Sequence, residues 1–317
     1  MAELPPLPCP TCGTPLGWSD DAIHGPLRSA TSYDTCLRRC DEHGIGWSNG
    51  RSNPTRIYRD PLDNVPAEVR AGAAAALAAA LNERNRPSKL AKFAFETSED
   101  AVTWTVFRAL QDAGQLDLIR RLALGAPSRR DQREALLFWG VPVPADDPIA
   151  GDTRDRLVAI SDRLGETPAS RSEPDVVLDF GDGGVVFVEV KHRSGNDLQD
   201  EAHPGWEKYV GGSDAFRGAV AARASRHYEL ARNWRFAWEL ANDRPMALVN
   251  LGPGQLFQGE AGLALAGFEE TLTQADDRRF VRLTWPALLE GFVGAPAWLT
   301  HFAEERRLHG ASERGTR

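Results

Sequence analysis

One short stretch, EPDVVLDFGDGGVVFVEVKHRSG at residues 173–195, constrains the fold of this chain more than any other. Two runs rich in β-branched residues flank a Gly-Asp-Gly-Gly turn, which is the pattern of a β-hairpin. Asp175, Glu189 and Lys191 nevertheless lie among these apolar residues, where an isolated charge is costly to keep. The hairpin therefore either carries three separate surface charges or gathers them into one site.

The spacing of the two acids specifies the pairing that would bring them together. Asp175 and Glu189 are 14 positions apart, so they face each other only if the hairpin is centred on Asp182 and its loop has an odd number of residues. A two-residue loop would turn Glu189 to the opposite face. A three-residue loop at 181–183, with a glycine in the left-handed conformation, restores the match. In that register Lys191 shares the face of Glu189.

Two facing carboxylates repel each other unless a cation joins them, and their hard oxygen atoms favour magnesium or manganese. The chain has 4 lysines among its 37 basic residues, so a lysine beside this acidic pair is a notable choice. Arginine would pair a carboxylate more firmly, whereas a compact ammonium group can orient water. The alternative is a surface strand with alternating charges, but the valines around the three residues leave no polar face. The pattern predicts a divalent-metal site with Asp175, Glu189 and Lys191.

Pro174-Asp175 and Glu189-Val190-Lys191 resemble the two halves of the motif of the PD-(D/E)XK nuclease superfamily. The resemblance implies an α/β fold with a restriction-endonuclease-like core, in which helices flank a mixed central sheet. It also implies that Asp175, Glu189 and the backbone carbonyl of Val190 hold Mg²⁺ or Mn²⁺. Lys191 would then position the attacking water.

The family adds an acid from the helix that precedes this hairpin. In FETSEDAVTWTVFRALQDAG, a Thr-Ser cap at 97–98, acids in the first turn and a stop at Gly114 predict such a helix. Glu99 is the best match for the additional catalytic and metal-binding acid. Glu96 and Asp100 are its substitutes.

The resemblance implies a magnesium-dependent phosphodiester hydrolase, with a DNA endonuclease of restriction or defence type as the first expectation. Its partner would be double-stranded DNA, and a homodimer is expected. His192 and Arg193 are candidate phosphate contacts, as are Arg223 and Arg226 on a later arginine-rich helix, although all four also fit a solvated surface. The alternatives are a nucleic-acid-binding or protein-binding module that has lost catalysis, and a nuclease directed at RNA.

All 4 cysteines fall within the first 40 residues, in CPTC and CLRRC. Two closely spaced pairs separated by a loop suit tetrahedral zinc, and four thiolates would close the coordination shell of a structural ion. Disulfides are the alternative, which a cytoplasmic setting disfavours. His24 and His43 are alternative ligands for one position, the latter because CLRRCDEH places it three residues after a cysteine. The predicted zinc ligands are Cys9, Cys12, Cys36 and Cys40.

The remaining sequence suggests how these motifs are organised. A loop-rich, zinc-ribbon-like module is expected at 1–60, a helical linker at 61–92, the nuclease-like domain at 93–300 and a tail at 301–317. Helices are predicted at 66–83, 130–140, 152–166, 216–238 and 286–293, and strands at 245–251 and 279–285.

Charge and hydropathy narrow the class of protein. The net charge of −8 argues against a uniformly basic protein that wraps nucleic acid and leaves room for local positive patches. No apolar run approaches the ~20 residues of a membrane span, and the first residues do not resemble a secretory signal. A cytoplasmic protein without membrane association is therefore expected.

Overall fold

The computed structural model describes residues 4–17, 28–125 and 134–310. Short strands dominate the amino-terminal part of these residues, and a larger α/β body follows. The strands are β1 (Leu7–Pro8), β2 (Pro15–Leu16), β3 (Arg38–Cys40), β4 (Ile45–Trp47), β5 (Arg56–Tyr58), β6 (Ala135–Phe138), β7 (Val141–Pro142), β8 (Val176–Asp179), β9 (Val185–Val190), β10 (Met246–Gly252) and β11 (Arg278–Thr284). The α-helices are α1 (Ala73–Ala79), α2 (Arg86–Phe93), α3 (Glu99–Asp112), α4 (Asp117–Leu124), α5 (Pro148–Arg163), α6 (Trp206–Val210), α7 (Ala219–Ala224), α8 (Tyr228–Ala241), α9 (Gly259–Glu270), α10 (Trp285–Gly291) and α11 (Ala297–Glu305).

The amino-terminal part contains two small sheets. β1 pairs with β2, while β3, β4 and β5 form an antiparallel meander. A small apolar cluster consists of Cys9, Leu16 and Cys40, with Trp47 packed against it. Because so small a core rarely stabilises a module, a bound metal ion fits the organisation of this part of the chain.

β5 joins the amino-terminal part to the body. Ile57 forms an isolated β-bridge with Phe95. Beside this bridge, the guanidinium group of Arg56 lies 3.1 Å from a carboxylate oxygen of Glu96 and 3.0 Å from one of Glu305. These contacts hold the amino-terminal part against the segment that leads into α3.

The body is built on a six-stranded sheet in the order β11-β10-β9-β8-β6-β7. β8 runs antiparallel to β6 and β9, whereas β9, β10 and β11 are parallel. Every residue of β8, β9 and β10 is buried, as expected for strands that are covered on both faces. The predicted α/β architecture with a mixed central sheet is confirmed.

Helices cover both faces of this sheet. α1, α3, α4, α10 and α11 contribute to a core on one face, which includes Val186 and Val188 of β9. α5, α6, α8 and α9 contribute to a second core that includes Phe187. Because successive residues of a strand point to opposite faces, Glu189 and Lys191 belong to the face of Phe187, which α8 covers.

α3 begins at its predicted cap. The side chain of Ser98 accepts a hydrogen bond from the backbone N–H of Ala101, and Glu99 and Asp100 occupy the first turn. Gly114 follows the helix with a φ of 64°, a conformation that suits glycine after a helix end. The predicted strands at 245–251 and 279–285 are also present, as β10 and β11, and the helices at 152–166 and 286–293 correspond to α5 and α10.

The single arginine-rich helix predicted at 216–238 is wrong. The chain forms α7 and α8 instead, separated at Arg226, whose φ of 63° cannot continue a right-handed helix. Val220, within the range of the predicted helix, is 83% exposed. In α8, by contrast, Ala231 and Trp234 are buried in the second core.

The helix predicted at 130–140 is also wrong for its described part. Residues 130–133 lie outside the described residues, and 135–138 form β6, which pairs with β8. These residues are buried on both faces, and a short apolar run of this kind does not distinguish a strand from a helix.

Two other segments differ in extent from the prediction. Within 66–83, the α-helix runs from Ala73 to Ala79, and Gly72 precedes it with a φ of 84°. α11 extends into the expected tail at 301–317, and its Phe302 is buried in the first core. Within 4–17, 28–125 and 134–310, no helix is both long and apolar enough to cross a bilayer.

Candidate active site

The β8–β9 hairpin has the register that the spacing of its acids predicts. Val176 pairs with Val188, so the position before β8 places Asp175 opposite Glu189. The turn consists of residues 181–183, and its first glycine has a φ of 57°. The odd-numbered loop and the left-handed glycine are thus both confirmed.

Asp175 lies at a step in the sheet, where β9 extends beyond the start of β8. Its Oδ2 accepts the N–H of Val190 at 2.8 Å, so a side chain replaces the missing strand partner. Burial and the facing carboxylate of Glu189 raise the pKa of Asp175 well above its ordinary value, against the opposing effect of Lys191. A proton or a cation relieves such a repulsion between carboxylates.

Lys191 is held between two carboxylates. Its Nζ lies 2.8 Å from Oε1 of Glu189 and 3.2 Å from Oε2 of Glu229 on α8. Burial works against the charge, but the two carboxylates outweigh it and raise the pKa of Lys191 above its ordinary value. Oε2 of Glu189 accepts a hydrogen bond from Nδ2 of Asn233 at 2.7 Å. The lysine is therefore a fixed ammonium group that can donate hydrogen bonds.

Glu99 approaches the same edge of the sheet from the first turn of α3. Its Oε2 accepts the N–H of His192 at 3.1 Å, and its Oε1 accepts the hydroxyl of Ser194 at 2.8 Å. Burial raises the pKa of Glu99, while Lys191 opposes this shift. The carboxylate thus connects the start of α3 to the segment that follows β9.

The other two candidate acids, Glu96 and Asp100, are each paired with a basic residue. Glu96 is paired with Arg56 of the amino-terminal part. Asp100 lies 3.1 Å from Nζ of Lys89, a residue of α2. Of the three helix acids, Glu99 and Asp100 line the cleft described next, and Glu96 does not.

These side chains meet in a cleft of about 530 Å³ at the edge of the sheet. Its floor carries both acids of the hairpin, and its walls come from α2, the start of α3 and α8. Both basic and acidic side chains line it, which suits an ionic ligand. Its charged lining residues are Lys89, Lys92, Glu99, Asp100, Arg171, Glu173, Asp175, Glu189, Lys191, Glu229 and Arg232, and Val190 lies among them.

The four predicted phosphate contacts do not line this cleft. His192 is buried, with Nε2 3.0 Å from the carbonyl oxygen of Arg306, and Arg193 is exposed. Arg223 is paired with a glutamate of α6. Arg226 lies at a second, largely apolar cleft between α7 and α9. The break between α7 and α8 separates these two arginines from α8, whose first turn reaches the acidic pair.

Of the basic residues that line the cleft, Lys191 is predicted from the motif, whereas Lys89, Lys92, Arg171 and Arg232 are not. Lys89 lies in the segment predicted as a helical linker, and its identity as one of 4 lysines in the chain is the available signal. Arg232 and Asn233 follow Glu229 at helical spacing, three and four positions later, and thus share its face of α8. Tyr228, at the start of α8, packs against aromatic rings of α6 and the preceding loop.

The amino-terminal part contains a second cluster of ligand atoms. Cys9, Cys12, Cys40 and His43 offer ligand atoms that all lie within 4.8 Å of one another. Cys36 does not belong to this cluster: its sulfur contacts the carbonyl oxygen of a residue four positions earlier, at 3.4 Å. His43 therefore replaces Cys36 in the predicted set, and His24 lies outside the described residues.

The cluster has the donor chemistry of a zinc site. The N–H of Gly13 donates to the carbonyl of Cys9 at 2.9 Å, closing a turn that directs two sulfur atoms to one point. Hydrogen bonds with Thr14 lower the pKa of Cys12 to about 7, which favours the thiolate. Three thiolates and one imidazole can bind one metal ion such as zinc and complete its tetrahedral shell.

The acidic cleft has a different donor chemistry, with carboxylate oxygens that suit a hard cation. In the described part of the chain, the Cys/His cluster is the group in which three or more such ligand atoms lie within 4.8 Å of one another. The carboxylate oxygens of Asp175, Glu189 and Glu99 are not gathered as closely. Glu99 is held instead by the segment after β9. No protein-family model, no curated protein and no solved structure matches this chain.

Proposed function

We propose that this protein is a metal-dependent phosphodiester hydrolase of the PD-(D/E)XK type, acting on DNA as an endonuclease. One observation carries the proposal: Asp175 faces Glu189 at an open strand end, with Nζ of Lys191 2.8 Å from the second carboxylate. The mixed sheet with helices on both faces agrees with a restriction-endonuclease-like core. Basic residues in the walls of the cleft suit a phosphate-bearing substrate.

The donor set fits Mg²⁺ or Mn²⁺. Asp175, Glu189 and the carbonyl of Val190 would hold the ion, with Glu99 as a further ligand. The ion would supply a Lewis acid that lowers the pKa of water and stabilises charge on the phosphate. The raised pKa of Asp175 supports this assignment, because a cation relieves the repulsion that burial and Glu189 create.

The side chains of the chain itself position the reactants. The ammonium group of Lys191, fixed by Glu189 and Glu229, would donate a hydrogen bond to the attacking water and hold it in line with the phosphorus. Asn233 holds the other oxygen of Glu189 and thus fixes that carboxylate. Hydrolysis adds the hydroxyl of water to phosphorus, breaks one P–O ester bond and leaves the proton on the departing oxygen.

DNA is proposed as the substrate because the resemblance to the PD-(D/E)XK superfamily implies it, and the amino-terminal part, which is joined next to the cleft, offers a second contact surface. A role in restriction or defence is part of the proposal, as is a homodimer that cuts both strands. The two alternatives are a binding module without catalysis and an RNA-directed nuclease.

Cleavage assays distinguish these functions. Linear, circular and single-stranded DNA and RNA are incubated with the protein and Mg²⁺ or Mn²⁺, and the Asp175→Asn variant is compared with Asp182→Asn. Asp182 is an exposed acid at the tip of the same hairpin and serves as a matched control.

The proposal predicts DNA cleavage that Asp175→Asn abolishes and Asp182→Asn retains. Cleavage of RNA alone would support the RNA-directed alternative. Binding without cleavage under either metal ion would support the module without catalysis. Equal cleavage by Asp175→Asn and wild type would contradict the assignment of the site.

A further inference from the structure

Arg232 stands out among the cationic side chains of the cleft. It projects from α8, one position before Asn233 and three after Glu229, and lines the cleft. Its Nε is sealed from solvent without a hydrogen-bond partner. Within the described part of the chain, its side chain makes no hydrogen bond and no ion pair. A partly buried guanidinium group is therefore left with unused donors beside the acidic pair.

Neighbouring basic residues behave differently. Arg171 is paired with Asp162 at 2.8 Å, and Lys89 lies 3.1 Å from its partner on α3. On α8 itself, Arg235 lies 2.8 Å from Glu239, one turn further along the helix. Among the described residues, Lys92 on the α2 wall shares with Arg232 the lack of an ion pair, but it is exposed.

Leaving the donors of a partly buried guanidinium group unpaired costs free energy, since water no longer satisfies them all. Such an arrangement is expected where a ligand completes the hydrogen bonds. The cation is maintained in spite of burial, because Glu229 and Glu189 raise the pKa of Arg232. These carboxylates are near enough to affect its charge, yet they do not occupy its donors.

We propose that Arg232, with Lys92 on the opposite wall, binds a phosphate group adjacent to the phosphate that is hydrolysed. The ligand class is a polynucleotide backbone with at least two consecutive phosphates. This inference rests on the proposed function, since it concerns the substrate of the same cleft. A guanidinium group suits the role because its planar fork donates two parallel hydrogen bonds to phosphate oxygens.

The proposed subsite determines how the polynucleotide backbone would run along the cleft. α8 holds Glu189 through Asn233 and Lys191 through Glu229, so the same helix that supports the acidic pair also carries the phosphate contact. Because Arg232, Asp175 and Glu189 line the same cleft, the phosphate bound at Arg232 would neighbour the phosphate that meets the two acids. Arg232 is thus a substrate-positioning residue rather than a catalytic one.

The test measures binding without hydrolysis. A short fluorescent oligonucleotide, single-stranded or duplex, is titrated with the Asp175→Asn protein in the absence of divalent ions and over a range of salt concentrations. Adding Arg232→Gln is expected to weaken binding about tenfold, the loss for one charge-assisted contact. It should also reduce the slope of log affinity against log salt by about one. Adding Arg235→Gln, on the same helix but paired and outside the cleft, should change neither.

Inorganic phosphate serves as a second probe. It should compete with the oligonucleotide in the protein that retains Arg232 and much less in Arg232→Gln. Arg232→Gln should lower the thermal midpoint only slightly, because it removes the attraction of Glu229 and Glu189 for the cation but breaks no hydrogen bond and no ion pair.

Two results would overturn the subsite: equal affinity and salt slope for Arg232→Gln and Arg235→Gln, or no binding of either probe to the parent protein. Failure of the wild-type protein to cleave any substrate would instead contradict the proposed function. That result leaves the Arg232-dependent binding as a separate measurement.

Discussion

The acidic end of the hairpin and the Cys/His cluster both gather side chains that repel each other once ionised, but they are supported in different ways. Asp175 and Glu189 are carried by strands that are buried on both faces and belong to two large cores. The Cys/His cluster rests on an apolar group of three buried residues and one partly buried tryptophan. The difference predicts that the acidic pair keeps its geometry without a cation, whereas the Cys/His cluster depends on a bound metal ion to fold.

Zinc-ligand variants give the largest expected effect on this comparison. Cys40→Ser should abolish zinc binding and open residues 4–60 to protease, because metal binding supplies on the order of 10 kcal/mol to small zinc modules. Cys36→Ser should retain about one zinc ion per chain, since its sulfur lies outside the cluster. Elemental analysis and limited proteolysis measure both outcomes. Loss of zinc in Cys36→Ser with retention in His43→Ala would restore the four-cysteine set.

Lysine variants probe the acidic end of the hairpin. Lys191→Met should reduce DNA cleavage about 1,000-fold, the size of loss seen when one fixed donor to a reacting group is removed. Lys208→Met is the control, because Lys208 lies on α6 over the ring of Tyr209 and outside the cleft. Single-turnover rates with Mg²⁺ give the comparison. Similar cleavage rates for the two variants would show that Lys191 has no role in the reaction.

Glycine variants test how firmly the hairpin holds its register. Gly184→Ala should lower the free energy of unfolding by about 3 kcal/mol, because φ is 107° and a Cβ atom would lie 2.5 Å from the carbonyl oxygen of Pro245. Gly181→Ala in the same turn should cost about 1 kcal/mol, since its φ is 57° but no atom lies within 4 Å of the added group. Urea denaturation measures both variants. Equal costs would mean that the close approach to Pro245 does not constrain the turn.

The pH dependence of stability tests the repulsion at the acidic pair. The pKa of Asp175 is raised in the folded protein, so its contribution to stability is present at acidic pH and is lost as the pH rises from about 4 through the raised value. Asp175→Asn removes this loss, and its stability relative to wild type should increase with pH when no divalent ion is added. Thermal unfolding across the range gives the difference. Asp182→Asn should follow wild type throughout.

Magnesium extends the same measurement. Added Mg²⁺ should stabilise wild type most where Asp175 is ionised, and should affect Asp175→Asn less. A parallel shift in both proteins would show that the ion binds elsewhere.

The hairpin could be predicted from sequence because a strand repeats every two residues. That period turns the spacing of Asp175 and Glu189 into a register, and the loop at 181–183 follows from it. The start of α3 was equally accessible, since the cap at Ser98 is a local hydrogen bond. Both features depend on neighbours in the chain.

Features that depend on distant contacts could not be predicted. His43 and Cys36 both have suitable spacing, and the fold of β3 and β4 decides which of them approaches Cys9. Likewise, the left-handed residue at Arg226 ends one helix and starts another, so the arginines nearest the acids are not those that a continuous helix suggests. The sequence does not show which basic residues form ion pairs, and the lack of one is what distinguishes Arg232 from its neighbours.

The order in which the ligand residues occur along the chain has a consequence for synthesis on the ribosome. The Cys/His cluster is complete once His43 has emerged, so its metal ion can bind while most of the protein is still untranslated. The hairpin emerges with Lys191, but α8 and β10 follow some 40 to 60 residues later. During that interval Asp175, Glu189 and Lys191 have all been synthesised, but β9 still lacks its neighbouring strand β10. A metal ion at the Cys/His cluster would therefore bind before α8 covers the acidic pair.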